Sequence, residues 1–459
     1  MTEPHPPGNY TITRKLPSEI LFFQILPKLP VTSLPNFMCV CKKWHSFLKS
    51  SVFANTYHHH HQNHPKYLLL STCRIQKKYR SIDCESPKDG LTAVRTRPSF
   101  WTLHYSDTPE LSILTSLHGL LCVGISELSL SPEYSDLILW NPLTGEHKML
   151  SKKGSSHEEC YKNNVGLFGL YYISSDDDYK LLRVTEHQNI YIYTLRSDSW
   201  RKVESTEDFQ QMASNLTSSR NLRQRPVRHI LLHEKLYFLN QVDRIETFIK
   251  TYSIVRFDTK TEIFTEIAMP SFGNQMTDCL DFMVQNGCLH FCVAILIEKE
   301  NYMPNRSCYE MIECWRMDED GDWTKVLTYG PMSFFIWGRS LLHLMRNGNF
   351  LIQHLSNVYV LDIKNHTKEM VFACEKIDYD HSTDGTGKFI ETIPPMGKYI
   401  ETTLSPHQYD VTSPSYSLPR KYFCIIAISL VSAIFGPLKG SYSFKMINFR
   451  ILKDTYFVS

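Results

Sequence analysis

Five stretches of this chain share one form: an apolar strand, a polar turn, then a second strand, with aromatic residues among them. They are LILWNPLTGEHKML from Leu137, IYIYTLRSDSWRKV from Ile190, IVRFDTKTEIFTEI from Ile254, IECWRMDEDGDWTKV from Ile312 and VYVLDIKNHTKEMV from Val358. Their starts lie 53, 64, 58 and 46 residues apart, close to one propeller blade of four strands plus variable loops. One such unit cannot bury both its faces alone, whereas blades stacked around an axis cover one another. Further β-rich runs fill the intervals, among them Tyr67–Leu70, Gly119–Val123, Tyr179–Val184, Lys235–Leu239, Cys288–Ile297 and Phe350–His354. Strands at this density, separated by turn residues, predict a sandwich, barrel or propeller over 66–371, and the repeat favours the propeller. Aromatic residues make up 12% of the chain, which suits strands because flat rings pack well on a pleated surface. The double glycine of kelch repeats and the WD dipeptide are both absent.

The first fifty-five residues read differently. Leu16-Pro17-Ser18-Glu19 is a helix entry, since Pro17 has no N–H to satisfy and Ser18 and Glu19 favour a helix start. Ile20, Leu21, Phe23 (or Gln24), Ile25 and Leu26 then follow at helical spacing until Pro27 and Pro30 stop the run. Further helices are predicted over 33–40, with Pro35 in the first turn, over 42–48 and over 51–61. Four small helices bury little apolar area by themselves, so a partner surface is expected.

The string LPSEILFFQILPKLPVTSLPNFMCVCKKWHSFLKSSVF resembles an F-box. The resemblance is carried in order by Leu16-Pro17, Glu19-Ile20, Ile25-Leu26, Leu29-Pro30, Val31, Ser33-Leu34, Phe37, Cys39-Val40, Lys42, Trp44 and Phe53. It implies binding to a Skp-type adaptor, and through it to cullin and RING subunits. The implied adaptor-binding residues are Leu16, Pro17, Ile20, Ile25, Leu26, Leu29, Pro30, Leu34, Val40 and Trp44. Pro27 and Pro35 depart from the helix-compatible residues usual there. Behind this module, GLFGLYYISSDDDYKLLRV from Gly166 and the repeat segments are similar to the plant F-box-associated domain, ending at the run Lys398–Ser405. That implies a target-binding domain without chemistry of its own.

The expected organisation is mostly β: a disordered segment at 1–14, a small α-helical F-box at 15–55 and a linker at 56–65. A β-propeller-like domain at 66–405 and an atypical tail at 406–459 follow. The resemblance implies a non-catalytic subunit of a ubiquitin ligase in the cytoplasm or nucleus, with an unknown protein target. The rival readings are a propeller enzyme and a membrane-tethered interaction protein.

Net charge is +2, so nothing draws the whole chain to nucleic acid or an anionic membrane. Thirteen scattered cysteines without a CxxC pair read as reduced thiols. No catalytic, metal or cofactor site is expected. His58–His61 with His64 lacks a completing carboxylate or cysteine and reads as a solvated helix end, and Asp176–Asp178 reads as a solvated turn. Asp384-Gly-Thr-Gly-Lys388 is no phosphate loop, because Ser382 replaces the first glycine and Phe389 the Ser/Thr. The uncharged run 422–438 reaches only the lower bound for a membrane span, roughly 17 residues, and Gly436-Pro437 interrupts it. A buried strand or unpacked tail is the favoured reading.

Overall fold

The computed structural model describes residues 17–61, 66–72, 77–89, 91–93, 110–126, 136–150, 166–185, 187–204, 209–210, 229–244, 249–270, 272, 277–297, 309–318, 321–333, 339–354, 357–365, 367–372, 397–399 and 403–407. The chain divides into an N-terminal unit ending at His60 and a larger unit spanning His61–Val411. Segments 1–14 and 422–438 lie outside the described residues. Among the described residues no helix is long and apolar enough to cross a membrane.

Among the described residues the larger unit contains six four-stranded sheets, each made of antiparallel neighbours. Blades 2 to 6 occupy 110–149, 166–203, 229–267, 277–333 and 339–372 in turn. Blade 1 is composite. It takes Lys66–Thr72, Lys77–Asp83 and Leu91–Ala93 from the start of the domain and Gly397–Tyr399 from its end. This last strand pairs antiparallel with the first, Lys66 opposite Tyr399 and Leu68 opposite Gly397. The leading strands of blades 2 to 6 line up in sequence: Glu110–Leu117 beside Gly166–Ile173, then His229–Leu232, Thr277–Gln285 and Arg339–Leu344. Gly397–Tyr399 lies beside Glu110–Leu117, so both ends of the domain join in closing the ring.

The five sequence repeats are the third and fourth strands of blades 2 to 6. Three of these turns, in blades 2, 4 and 6, share a device. The side-chain oxygen of Asn141 accepts the N–H groups of Leu143 and Thr144, Asp258 those of Lys260 and Thr261, and Asp362 those of Lys364 and Asn365. Each mimics a backbone turn and fixes the hairpin register. Asp83 does the same for Glu85 and Ser86 in blade 1. Blade 1 therefore carries a sixth copy, outside the five sequence repeats and ending in the strand Leu91–Ala93.

Strands such as Asp136–Trp140 and Ile190–Thr194 are buried on both faces, which is why they read as continuous apolar runs rather than alternating ones. Tyr171, Phe238 and Phe257 belong to the core between blades 3 and 4, and Ile254, Phe282 and Phe291 to that between blades 4 and 5. Gly169 lets blades 3 and 4 approach, since a Cβ there would stand 2.7 Å from Leu236 Cδ1. Trp140 and Trp200, both on repeat strands, are buried. Trp315 is half-buried against the same blade 4–5 core, edge-on to Phe272.

The reading of all thirteen cysteines as reduced thiols is corrected at one place. Cys292 and Cys314 form a disulfide within blade 5, at directly opposite positions of neighbouring strands with Cα atoms 4.2 Å apart. Antiparallel register alone brings them together, a relation that a separation of 22 residues does not display. Cys39, Cys41, Cys84, Cys122 and Cys288 are free.

Candidate adaptor-docking module

Residues 17–61 build a small helical unit whose shape is set by its prolines. Pro17, in extended backbone, precedes a helical turn at Ser18–Ile20. The helix then widens to a π-turn over Leu21–Ile25, with the Leu26 N–H reaching back to the Leu21 carbonyl, and tightens to a 3₁₀ turn over Leu26–Lys28. Pro27 accounts for this departure from a regular first helix, because it has no N–H for the Phe23 carbonyl and its ring crowds the preceding turn. The second helix shrinks to Leu34–Phe37 behind a 3₁₀ turn at Val31–Ser33, with Pro35 in its first turn. Lys42–Leu48 and Ser51–His61 follow as regular helices. Ser50 caps the latter, its Oγ accepting the Phe53 N–H. Residues 56–61 continue this last helix, which spans the 51–61 predicted for it.

Trp44 lies at the centre of the module, edge-on to Phe22 at 6.0 Å and tilted against Phe37 at 6.1 Å. Leu26, Leu29, Leu34 and Val40 are buried around it with Leu48, Phe53 and Tyr57. The Tyr57 hydroxyl donates to the Leu29 carbonyl at 3.0 Å, tying the last helix to the loop after the first. The expected adaptor-binding residues thus fall into two groups. Leu26, Leu29, Leu34, Val40 and Trp44 form the internal core; Pro17 and Pro30 are exposed, and Ile20 and Ile25 are half-buried. Leu16 lies outside the described residues. Two exposed apolar residues were not singled out as site residues, Phe23 and Val52, at 45% and 46% exposure. For Val52 the signal was an apolar side chain off the buried stripe of its helix, which carries weight where a partner surface is expected, whereas Phe23 read as part of the apolar run.

The histidine run differs from a wholly solvated helix end. His59 and His60 are exposed, but the His58 ring is largely enclosed, and burial, reinforced by the neighbouring His59 charge, lowers its pKa to about 4. His64 lies outside the described residues, and no cluster of three metal-ligating side chains occurs among the described ones. A folded pKa below the ordinary 6.5 means that folding favours neutral His58. This contribution is complete above pH 6.5 and is lost as pH falls towards 4, by at most roughly 3 kcal/mol. Hydrogen exchange at amides 51–57 should therefore accelerate between pH 7 and pH 5, after correction for intrinsic rates, and less so in His58→Gln. Equal pH dependence in both proteins would refute the assignment.

In the propeller, the Asp176–Asp178 turn is only partly solvated. Asp176 is exposed, Asp177 accepts the Tyr172 hydroxyl at 2.8 Å, and buried Asp178 accepts the Arg196 N–H at 3.1 Å. Burial raises the Asp178 pKa, while its bonds and charge contact with Arg196 oppose that shift.

Comparison with known proteins agrees with this geometry. Residues 14–55 match the F-box domain, and residues 68–404 match the F-box associated beta propeller domain. Among curated proteins of Arabidopsis thaliana, one F-box protein is 25% identical over 391 residues, covering 75% of this chain and 84% of its own length. Another F-box protein is 26% identical over 266 residues, 52% of this chain and 57% of its own. An F-box/kelch-repeat protein is 27% identical over 210 residues, 40% and 50%. Apart from the first of these, the chain spans about half the length of the curated relatives it matches. A solved hypothetical selenium-binding protein from Sulfolobus tokodaii shares 11% identity over 67% of this chain and 73% of its own, with a TM-score of 0.33, too low to carry an argument. With a helical F-box module followed by six four-stranded sheets, and both parts matched by their family models, the chain belongs to the F-box proteins that carry an F-box associated β-propeller domain.

Proposed function

We propose that this protein is the target-selecting subunit of a Skp–cullin–F-box ubiquitin ligase, without a catalytic residue of its own. The observation that carries the reading is the F-box match over 14–55, on a module that leaves Pro17, Phe23, Pro30 and Val52 exposed around a tight core. Leu16, Pro17, Ile20, Ile25 and Pro30 act as adaptor contacts, joined by Phe23. Leu26, Leu29, Leu34, Val40 and Trp44 hold those contacts in place from beneath. The propeller holds the target protein, and holding it near a ubiquitin-loaded conjugating enzyme raises the effective concentration of its lysines. Such an assembly works in the cytoplasm or nucleus.

Small interfaces concentrate their energy in a few apolar anchors. Changing Leu16 and Pro17 together to alanine removes one anchor and the rigid helix start, and should weaken adaptor binding by at least ~2 kcal/mol. That corresponds to roughly thirtyfold, read by titration of purified adaptor onto the full chain. The propeller, which has its own core, should melt unchanged. Undiminished adaptor affinity in the double variant would end the proposal for these residues.

A further inference from the structure

The propeller presents one face whose charge differs from that of the chain. In each blade the first-to-second and third-to-fourth turns lie at the same end, because the four strands are antiparallel. Within blade 4, Thr259 bonds the Glu234 carbonyl across these two turns, and Ser174 of blade 3 reaches the Glu234 carboxylate from next door. Blades 6 and 1 are joined at the same end, where Glu85 accepts from His343 Nε2 at 2.6 Å and from the Arg346 N–H at 3.1 Å. The described residues of these turns are 83–89, 118–119, 141–146, 174–177, 195–198, 233–234, 258–263, 286–287, 318, 321–322, 345–349 and 362–365. They carry thirteen carboxylates against five lysines and arginines, in a chain whose overall charge is +2. The negative excess is therefore local to this face, and its field attracts cationic partners.

The same face holds a cleft of about 290 Å³ at the seam of blades 1 and 6. Its walls are 85–89 from blade 1 and, from blade 6, Met345, Asn347 and Asn349 of one turn with Val360, Asp362, Thr367 and Glu369 of the outer hairpin. Met345 and Val360, both buried in the body of the seam, supply apolar wall, while Asp89, Asp362 and Glu369 stand among the lining residues. Apolar wall with carboxylates around it matches a side chain with a methylene stem and a cationic head. Asp362 is engaged by its own turn, and Glu369 is paired with Lys88 across the seam, both of them exposed. An exposed pair of this kind contributes little to stability and exchanges readily with an incoming cation.

We propose that this face docks a basic segment of the target protein, with one arginine or lysine side chain entering the seam cleft beside Asp89 and Glu369. The inference deepens the target-selecting role proposed above. The test is anisotropy with the full chain and a fluorescein-labelled nonapeptide of alternating arginine and glycine, at about 150 mM salt so that distant charges are screened. Saturable binding is expected, and none with the glutamate–glycine counterpart. Asp89→Asn/Glu369→Gln should weaken it roughly tenfold, whereas Lys88→Gln, which removes the competitor for Glu369, should tighten it. Glu204→Gln, outside these turns, should leave affinity within about twofold. Absence of saturable binding overturns the proposal. So does an unchanged double variant, a Lys88→Gln protein that binds more weakly, or an equal loss in Glu204→Gln. Adaptor affinity, measured on the same variants, separates failure here from failure of the ligase reading.

Discussion

Replacing Trp140 by alanine is expected to destabilise the propeller by about 3–5 kcal/mol and to yield largely insoluble protein, since truncating a buried indole loses its transfer energy and leaves a cavity. Trp140 is fully buried at the end of the third strand of blade 2, opposite Leu121 on one side and His147 on the other. It precedes Asn141, whose side chain sets the hairpin turn and also donates to the Leu404 carbonyl at 2.9 Å. Displacement at Trp140 therefore disturbs the turn and the tie to the closing segment together. Trp140→Phe keeps part of the volume and should stay soluble with an intermediate loss. Trp315→Ala should cost less than Trp140→Ala, because its ring is only half-buried. Thermal melts followed by near-ultraviolet circular dichroism read all three. A Trp140→Ala protein melting with the wild type would refute the packing role assigned to it.

Ending the chain after residue 396 should open the ring. The truncation removes Gly397–Tyr399 from blade 1, exposing the hydrogen-bonding edge of Lys66–Leu68. It also removes buried Thr403 and Leu404, the acceptor of the Asn141 side chain, and the bond of His407 Nε2 to the His147 carbonyl at 2.8 Å. Loss of one buried leucine contributes about 1.5–3 kcal/mol. An unmatched buried amide adds roughly 1–3 kcal/mol. The exposed edge also invites intermolecular pairing, so the truncated protein should be both destabilised and oligomeric by light scattering. Ending the chain after Ser417 retains every one of these contacts and should leave a monodisperse protein that still binds adaptor. A stable monomer ending at 396 would show that the ring does not depend on this closure.

Much of the fold was legible because its signals are local. The hairpins of blades 2 to 6 announced themselves through apolar runs beside a polar turn, and burial on both faces made runs such as Asp136–Trp140 and Ile190–Thr194 continuous. Blade 1 gave no such signal. Its Asp83 turn is ordinary, but its innermost strand lies some three hundred residues away along the chain. The F-box module was recognisable from its residues in order, yet the pattern did not separate contact from support. Leu26, Leu34 and Trp44 belong to the same string as Pro17 and Pro30 but lie inside the module, while Phe23 faces outward.

The sequence by itself determined the division into a helical module and a repeated β domain, because hydrophobic period and turn chemistry are properties of neighbouring residues. Tertiary structure alone decided what depends on distant residues meeting. It set the blade number through closure by Gly397–Tyr399, the Cys292–Cys314 disulfide through strand register, and the acidic face through turns that are scattered along the chain but gathered at one end of the ring. It also decided which apolar F-box residues are core and which are surface, since Pro27 diverts the first helix from the regular 3.6-residue period on which a sequence reading relies.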